Sequence, residues 1–423
     1  MRHRLNYSKT LLLLGFCTIV TITVTLTATA MSWTEITSTL APEDQLSEIL
    51  TDKVTQNLKK NNFTKDFEIS LFDDKEKFKV SYTLDPELQS EAQTLLKRYK
   101  PDYAAIFMYD VQTGEVLAMS SWQKSNPKAE NLNLKATFPA ASIFKIVTAS
   151  AAVDQMGINP DRKIAFNGGN YTLYKRNVLS EKINKWTRFV TLKEAFARSL
   201  NTAFGRLTLE NLSPKALADY SERFLFNKDI ITDFKFQQST AVIPEDNAFA
   251  LTQAASGFTR DNTLSPVHGA MIASTIVNKG NMVTPYIVRE VTNEKGEVVY
   301  KPNIIKPIQV MTPESAEKIE QMMEQTVLAG TSRKAFRKLI KDKKFKEVEM
   351  GGKTGHLTGT NPKGRTDWFV GYAKDSDGNT VALAAITVNI KKWTVKSSSL
   401  AEMMFRKHFK YILDNKNKNV VKN

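Results

Sequence analysis

The sequence predicts an α+β fold in which an antiparallel sheet is flanked by helices and a helical lobe, preceded by one N-terminal transmembrane helix. Strand-like alternation bounded by turn residues occurs at 104–119 and again at 348–390, whereas the segment between them has helical patterning. Strands at both ends with helices between them favour a sheet whose terminal segments meet. The 423 residues, 42% of them hydrophobic, suffice for one large domain or two modest ones.

The N-terminal segment is predicted to anchor the chain in a membrane. Residues 10–34 carry no charge and follow three Lys or Arg residues. An apolar run of about 20 residues can cross a bilayer as a helix, and a positive flank predicts a cytoplasmic N-terminus. We therefore predict a cytoplasmic segment at 1–9 and a transmembrane signal anchor at 10–31. A cleaved signal peptide is the alternative, because Ala28-Thr29-Ala30 resembles a signal-peptidase site.

The remaining elements follow from apolar periodicity and from turn residues. Residues 32–81 are predicted to form a short stalk or linker region, 82–414 the main domain and 415–423 a polar basic tail. Helical patterning is found at 42–61, 85–99, 142–155, 192–205, 214–224, 248–277 and 398–413. Strands are predicted in a hairpin at 67–84 and at 104–109, 116–119, 348–357, 366–372 and 380–390.

Composition limits the classes of partner and cofactor. The 59 Lys and Arg against 44 Asp and Glu give a net charge of +15, which favours anionic partners: nucleic acid, acidic lipid headgroups or anionic cell-envelope polymers. The basic stretch at 333–346 is interpreted as a solvated surface. The only cysteine, Cys17, lies in the apolar segment, and the four histidines show no metal-ligand spacing. No metal site and no cofactor is predicted.

Three short motifs carry the chemistry: Ser142-Ile143-Phe144-Lys145, Ser199-Leu200-Asn201 and Lys353-Thr354-Gly355. A serine three residues before a lysine occurs four times in the chain, so this spacing alone is uninformative. The other two motifs occur once each. The ordered set supplies a nucleophile, a base, a proton relay and an anion-binding group, and therefore predicts acyl transfer through an active-site serine.

Ser142 is predicted in the first turn of a buried apolar helix, where free backbone N–H groups favour the developing negative charge of an attacked carbonyl. Lys145 would project from the same face of that helix. A lysine desolvated beside a second cation, here Lys353, can lose its proton and act as a general base. For the other three matches, at Ser121, Ser125 and Ser315, a capping serine followed by a surface lysine is the better interpretation.

The second and third motifs require a turn and a strand. Ser199 and Asn201 can converge only from a turn between two helices, since residues two apart do not share a helix face. Lys353 and Gly355 share one face of a predicted strand, where the glycine allows a substrate backbone to lie close to the strand edge. Lys353 and Thr354 can then bind a carboxylate. A nucleotide-binding loop is excluded because Glu347 stands where its first glycine is required.

Together with 83–89 and 367–372, these motifs resemble the penicillin-binding transpeptidase domain of the active-site-serine family that includes the serine β-lactamases. The resemblance implies that Ser142 is the acylated nucleophile and Lys145 its base, with Ser199 and Asn201 as the second catalytic element. It also implies substrate binding by Lys353, Thr354, Gly355 and His356, with the backbone N–H groups of Ser142 and His356 as oxyanion hole. His356 stands where threonine or serine is usual, so the implied side-chain contact does not carry over.

The function implied by the resemblance is that of a single-pass peptidoglycan D,D-transpeptidase of the bacterial cytoplasmic membrane, with its domain on the extracytoplasmic side. Its expected partners are D-Ala-D-Ala stem peptides, β-lactams and proteins of cell-wall synthesis, and not nucleic acid. About fifty residues separate the anchor from the domain, which implies a reduced form without a glycosyltransferase domain or pedestal. A D,D-carboxypeptidase, a class D-like β-lactamase and a non-enzymatic β-lactam sensor remain as alternatives.

Overall fold

The computed structural model describes residues 42–60, 67–70, 77–126, 128–302 and 304–420. Within these ranges no helix has both the length and the apolar character needed to cross a bilayer. The transmembrane helix predicted at 10–31 lies outside the described residues and stays a prediction.

In this part of the chain the strands of the main sheet lie near the two ends of the domain, with most of the helices between them, as the sequence pattern predicts. The helices are α1 (Pro42–Lys59), α2 (Pro86–Tyr99), α3 (Lys145–Ser150), α4 (Lys175–Val178), α5 (Leu192–Ala197), α6 (Asn201–Asn211), α7 (Pro214–Arg223), α8 (Ala248–Ala255), α9 (Pro266–Val277), α10 (Pro313–Leu328), α11 (Arg333–Lys341) and α12 (Ser397–Val420). The strands are β1 (Phe67–Ser70), β2 (Lys77–Tyr82), β3 (Tyr103–Asp110), β4 (Val116–Gln123), β5 (Phe138–Pro139), β6 (Lys163–Phe166), β7 (Arg188–Thr191), β8 (Thr263–Leu264), β9 (Asn281–Met282), β10 (Val288–Thr292), β11 (Val298–Tyr300), β12 (Ile308–Gln309), β13 (Glu349–Thr360), β14 (Lys363–Lys374) and β15 (Thr380–Asn389).

The main sheet joins strands from both ends of the domain. Its order is β13-β14-β15-β3-β4, and every neighbouring pair is antiparallel. The late strand β15 pairs with the early strand β3 over Val381↔Asp110 to Val388↔Tyr103. The predicted α+β fold with an antiparallel sheet is therefore confirmed, and β13, which carries the third motif, is an edge strand.

Both faces of this sheet are covered, so its strands separate two cores. Side chains alternate between the faces of a strand, and Phe107 and Tyr109 accordingly join the core of the helical lobe. Their neighbours Ile106 and Met108 join the core beneath α2 and α12. Coverage on both faces explains why every residue of β15 is buried.

The described part of the predicted stalk is packed against the domain. Leu50, Val54 and Leu58 of α1 are buried in the larger core. The strands β1 and β2 belong to a second sheet of order β1-β2-β10-β11. This helix and these two strands are therefore integral to the folded unit that begins at Leu46.

The segment 248–277, predicted as helical, contains two helices. The first, α8, ends before Gly257, and α9 begins after the capping residue Ser265. Gly257 has φ +65°, and the N–H groups of Gly257 and Phe258 bond to the carbonyls of Ala254 and Gln253, which is a Schellman ending. Proline at the first helical position then starts α9.

The hairpin of β13 and β14 is also tighter than predicted. The strands extend to Thr360 and from Lys363, so the turn consists of Asn361 and Pro362 alone. Gly359 and Gly364, which lie between the strands predicted at 348–357 and 366–372, are paired directly within the ladder. Period-two alternation breaks down in this glycine-rich stretch, so the sequence pattern ended β13 too early and began β14 too late.

Candidate active site

Ser142 lies in a short 3₁₀ turn, Ala141–Phe144, which leads directly into α3. The predicted helix start at Ser142 is therefore present, with a tighter first turn. The preceding chain is fixed by two hydrogen bonds: the indole Nε1 of Trp368 donates to the carbonyl of Pro139 at 2.9 Å, and the amide of Ala140 donates to the carbonyl of Asn262 at 2.8 Å. Because Trp368 belongs to β14, its hydrogen bond holds the turn against the sheet.

Gly257 makes room for this turn. A Cβ atom at position 257 would lie 1.9 Å from the carbonyl oxygen of Ala141 and 3.0 Å from the amide nitrogen of Ser142. Only glycine permits that approach, and it also suits the positive φ of the position. The end of α8 and the start of the Ser142 turn are thus packed backbone to backbone.

We expect Gly257→Ala to destabilise the fold more than Gly157→Ala. Both glycines have positive φ, which costs about 1 to 2 kcal/mol for alanine. A Cβ at position 157 meets nothing within 4 Å, whereas the one at 257 meets backbone. Overpacking should add about 1 to 3 kcal/mol at position 257 alone. Denaturant unfolding of both variants measures the difference, and equal free energies of unfolding would contradict the backbone packing.

Lys145 is fully buried and its Nζ has three polar neighbours. They are Ser142 Oγ at 2.8 Å, Asn201 Oδ1 at 2.7 Å and the carbonyl oxygen of Ser256 at 2.5 Å. The amide and peptide oxygens can only accept hydrogen bonds. A neutral amine that donates to these two oxygens keeps its lone pair for the hydroxyl proton of Ser142.

Ser199 and Asn201 lie between two helices, as the spacing predicted. The helix α5 ends in a Schellman motif in which the amides of Ser199 and Leu200 bond to the carbonyls of Phe196 and Ala195. Ser199 occupies the left-handed position of this motif with φ +57°, where glycine is usual. The chain then turns so that Asn201 opens α6, and its Oδ1 accepts a hydrogen bond from Lys145.

The strand β13 brings Lys353 to the same cleft. Lys353 Nζ is fully buried and donates to Ser199 Oγ at 2.8 Å and to the carbonyl of Thr354 at 3.1 Å. Gly355 faces the Ser142 turn, since a Cβ there would lie 3.3 Å from the Ala141 Cβ and from the Ile143 amide nitrogen. The backbone that approaches Gly355 is thus that of the Ser142 turn, and the predicted close approach of a substrate backbone stays a prediction.

The electrostatics of the two lysines are coupled. Burial holds the pKa of Lys145 well below its ordinary value, and the nearby positive charge of Lys353 lowers it further. Burial lowers the pKa of Lys353 to about 7. The rings of Phe204 and Phe196, 5.5 and 5.4 Å from the two Nζ atoms, contribute to the desolvation. At neutral pH Lys145 is thereby held as a neutral base, while Lys353, with its pKa of about 7, is partly protonated.

The His356 side chain has a different neighbourhood. It is half exposed, and its Nε2 pairs with Asp367 on β14 and lies 3.3 Å from Lys396 Nζ. The ring also packs edge-on against Trp393 at 6.0 Å. Asp367 is paired directly with His356 on the neighbouring strand, so the His356 side chain joins a polar cluster with Asp367 and Lys396.

Three neighbours of the site were not found from the sequence. They are Ser256, whose carbonyl accepts from Lys145, Gly257 beneath the Ser142 turn, and Thr331, whose hydroxyl bonds to that of Thr354. Gly257 follows an apolar helical run and is a stop signal that could have been used. The carbonyl of Ser256 and the contact of Thr331 leave no pattern in the sequence.

The five polar side chains form two hydrogen-bonded groups: Ser142, Lys145 and Asn201 in one, and Ser199 with Lys353 in the other. The first group contains a hydroxyl beside a buried neutral amine, the arrangement of an activated serine nucleophile. A second hydroxyl is bonded to a cation that can hold an anionic substrate group. This geometry supports attack on an acyl carbon and transfer of the acyl group.

Comparisons with known proteins converge on one family. The family described as penicillin binding protein transpeptidase domain matches residues 104–410. Stage V sporulation protein D of Bacillus subtilis is 26% identical over 327 residues, covering 71% of this chain and 48% of that protein. Peptidoglycan D,D-transpeptidase PbpA of Mycolicibacterium smegmatis is 25% identical over 346 residues, covering 73% and 66%. The chain thus spans between about half and two thirds of the length of these relatives.

Solved structures share the fold. The D,D-transpeptidase domain of a peptidoglycan glycosyltransferase from Eggerthella lenta gives a TM-score of 0.64 at 24% identity, over 78% of this chain and 83% of that one. Penicillin-binding protein A of M. tuberculosis, as an imipenem acyl-enzyme complex, gives 0.64 at 21% identity, over 78% and 79%. The α+β architecture described above is that of these proteins.

Proposed function

The chain belongs to the penicillin-binding protein transpeptidase family, and on that premise we propose that it is a membrane-anchored peptidoglycan D,D-transpeptidase that acts through a Ser142 acyl-enzyme. The observation that carries the proposal is the hydrogen bond between Ser142 Oγ and the buried amine of Lys145. The low pKa of that amine makes it a base at neutral pH. The names of the mycobacterial relatives support the choice of reaction.

In the acylation step, Lys145 removes the hydroxyl proton of Ser142 while Oγ attacks the carbonyl carbon between the two terminal D-alanines of a stem peptide. The developing oxyanion is held by the backbone N–H groups of Ser142 and His356. Preorganised N–H donors of this kind are worth about 10² to 10³ in rate. The step leaves Lys145 protonated beside Lys353, an unfavourable pair of charges that favours onward transfer of the proton.

Collapse of the tetrahedral intermediate breaks the peptide C–N bond, and the departing D-alanine amine takes the proton from Lys145 with the Ser199 hydroxyl as relay. Ser199 Oγ is held for this role by Lys353 at 2.8 Å. Lys353 and Thr354 bind the terminal carboxylate of the donor peptide. Asn201, bonded to Lys145 through its Oδ1, places its amide beside the acyl chain.

In the second step, an amine from a neighbouring stem peptide attacks the acyl-enzyme carbonyl, and Lys145 takes the amine proton. Collapse of this second tetrahedral intermediate breaks the ester bond between the acyl carbon and Ser142 Oγ, Lys145 returns the proton to Oγ, and the new peptide bond is the cross-link. Attack by water instead would make the protein a D,D-carboxypeptidase. β-Lactams would acylate Ser142 in the same way, as the acyl-enzyme complexes of M. tuberculosis penicillin-binding protein A with imipenem and with penicillin G support.

The anchoring and localisation belong to the same proposal. The uncharged segment 10–34 with its basic flank supports a single-pass anchor in the bacterial cytoplasmic membrane, with the domain on the extracytoplasmic side. Stem peptides, β-lactams and proteins of cell-wall synthesis are the proposed partners.

The proposal is tested with the purified full chain in detergent and a stem pentapeptide ending in D-Ala-D-Ala. With an acceptor amine present, we expect a cross-linked product and one D-alanine released per cross-link. Release of D-alanine without cross-linking, at every acceptor concentration, would replace the transpeptidase by a carboxypeptidase. Rapid hydrolysis of a β-lactam without action on the pentapeptide would support a β-lactamase instead.

A further inference from the structure

An unusually apolar surface lies on the lobe beside the second motif, in the segment between β6 and the end of β7. Trp186 is 76% exposed, Ile183 65%, Tyr174 63% and Phe189 58%. Single exposed apolar residues are ordinary, but a group of large ones within sixteen residues marks an interaction site. Exposed tryptophan and tyrosine are typical anchors of binding interfaces.

The same segment is strongly cationic. Residues 174–189 contain Lys175, Arg176, Lys182, Lys185 and Arg188 against a single acid, Glu181. None of these five cations forms an ion pair with a side chain that the structure describes, whereas Lys193, Arg198 and Lys215 of the same lobe each pair with a nearby carboxylate. Lys185 Nζ instead lies 5.2 Å from the ring centroid of Trp186. We call the group Tyr174, Lys182, Ile183, Lys185, Trp186 and Phe189 the cationic-aromatic surface.

The backbone presents this surface in a fixed turn. The amide of Thr187 bonds to the carbonyl of Asn184 at 2.9 Å, and the amide of Trp186 bonds to Asn184 Oδ1 at 2.8 Å. Asn167 then ties the segment to the β6 end by donating to the carbonyl of Lys182 at 2.9 Å. Trp186 is therefore held in solvent by a turn with its own hydrogen bonds, which keeps the surface preorganised.

The residues that precede this segment, 169–172, are hydrogen-bonded to the second motif and to the residue after it. The Asn201 side-chain amide donates to the carbonyl of Tyr171 at 2.7 Å, and the Asn201 backbone amide donates to the carbonyl of Asn170 at 2.9 Å. Thr202 Oγ1 bonds to the carbonyls of Gly169 and Thr172 at 2.9 Å each. Lys145 donates to Asn201 Oδ1, and the Asn201 amide donates to the carbonyl of Tyr171. Two hydrogen bonds therefore connect the base to the backbone at Tyr171, from which the chain leads to the cationic-aromatic surface.

We propose that the cationic-aromatic surface binds the glycan strand that carries the stem peptides, outside the cleft that binds the scissile peptide. This inference rests on the proposed function. Pyranose rings pack their C–H faces on aromatic rings, and the free carboxylates of stem peptides complement the unpaired lysines. An anionic bilayer could attract the same residue types, but continuity with Asn201 favours the polymer to which the substrate peptide is attached.

The test is co-sedimentation of the full chain, in detergent, with purified insoluble peptidoglycan. The aromatic variant is Trp186→Ala with Phe189→Ala, and its control is Tyr411→Ala, an equally exposed aromatic residue on α12. The charge variant is Lys182→Gln with Lys185→Gln, and its control is Lys334→Gln with Lys338→Gln on the basic helix α11. Each control removes the same kind of group from another surface.

We expect both surface variants to lose roughly tenfold in affinity for peptidoglycan, the scale for losing central contacts of an interface, while both controls bind as wild type. Acylation by a fluorescent penicillin should be unchanged, because that small ligand occupies only the cleft. Equal losses in variant and control, no loss, or no binding by wild type would overturn the proposal. So would a loss confined to binding of anionic phospholipid vesicles.

Failure of the proposed function and failure of the surface proposal would give different results in two measurements, penicillin labelling and peptidoglycan affinity. Failure of the proposed function would appear as absent Ser142-dependent penicillin labelling in every variant, whatever the peptidoglycan affinity. Failure of the surface would appear as normal labelling with unaltered peptidoglycan affinity in the surface variants.

Discussion

Replacing Ser142 with alanine is expected to abolish covalent labelling of the chain by a fluorescent penicillin. The substitution removes the only atom that can bond to the acyl carbon while leaving the base, the relay and the anion-binding group in place. Loss of a catalytic serine nucleophile costs at least about 10⁴-fold in rate. The measurement is the second-order rate constant of acylation, followed by gel fluorescence of the intact protein.

The variant should remain folded, because Ser142 is only partly buried and its hydroxyl bonds to Lys145 alone among the hydrogen bonds of the described side chains. Ser125→Ala is the matched control, since Ser125 also stands three residues before a lysine but lies exposed on the surface. Wild-type labelling of Ser125→Ala together with loss in Ser142→Ala would assign the acylated residue. Undiminished labelling of Ser142→Ala would refute the acyl-enzyme mechanism for this chain.

The backbone positions of the motifs were predictable because each depends on local signals. Alternation and turn residues place Lys353 on a strand, and the apolar run after Ser142 places that residue at a helix start. The convergence of Ser199 and Asn201 was predicted from spacing alone, since residues two apart cannot share a helix face. The structure places Ser199 at the left-handed position that ends α5.

The contacts that tune the base were not predictable. Lys145 is satisfied in part by the carbonyl of Ser256, which lies 111 positions away and carries no side-chain signature. The close packing of Gly257 against Ala141 is likewise a property of two backbones that the sheet brings together. Local periodicity specifies which face of an element is buried, but it does not specify which distant carbonyl that face will meet.

The helical lobe shows the same limit on a larger scale. The absence of strand-like alternation at 248–277 predicted helical structure but did not locate a break, and a glycine stop and a proline start divide the segment into α8 and α9. The break places Ser256 and Gly257 beneath the nucleophile. A departure from the simplest pattern therefore coincides with the part of the lobe that touches the site.

Replacing Lys145 with methionine is expected to lower the acylation rate constant by about 10² to 10⁴-fold, the usual contribution of a general base. Methionine keeps an unbranched chain in the buried position but has no nitrogen to accept the Ser142 proton. Because Asn201 Oδ1 and the Ser256 carbonyl lose their shared donor, the variant should also be less stable by about 1 to 3 kcal/mol. Acylation and denaturant unfolding measure the two effects.

Lys318→Met is the matched control, because Lys318 has the same spacing from Ser315 but pairs with Glu314 on the surface of α10. Its acylation rate and stability should stay close to those of wild type. Equal acylation by Lys145→Met and wild type would exclude Lys145 as the base.

The pH profile separates loss of the base from loss of packing. In wild type, Lys145 is neutral at neutral pH because burial and Lys353 hold its pKa well below the ordinary value. Lowering the pH through that pKa protonates the amine and removes its lone pair, so the acylation rate should fall on the acid side. In Lys145→Met that amine is gone and the residual rate should lose this acid limb, whereas protonation of Lys353, whose pKa is about 7 in wild type, leaves no base to be lost at Ser142. A low rate that keeps the wild-type acid limb would mean that a different group accepts the Ser142 proton, with Lys145 serving only to position Asn201.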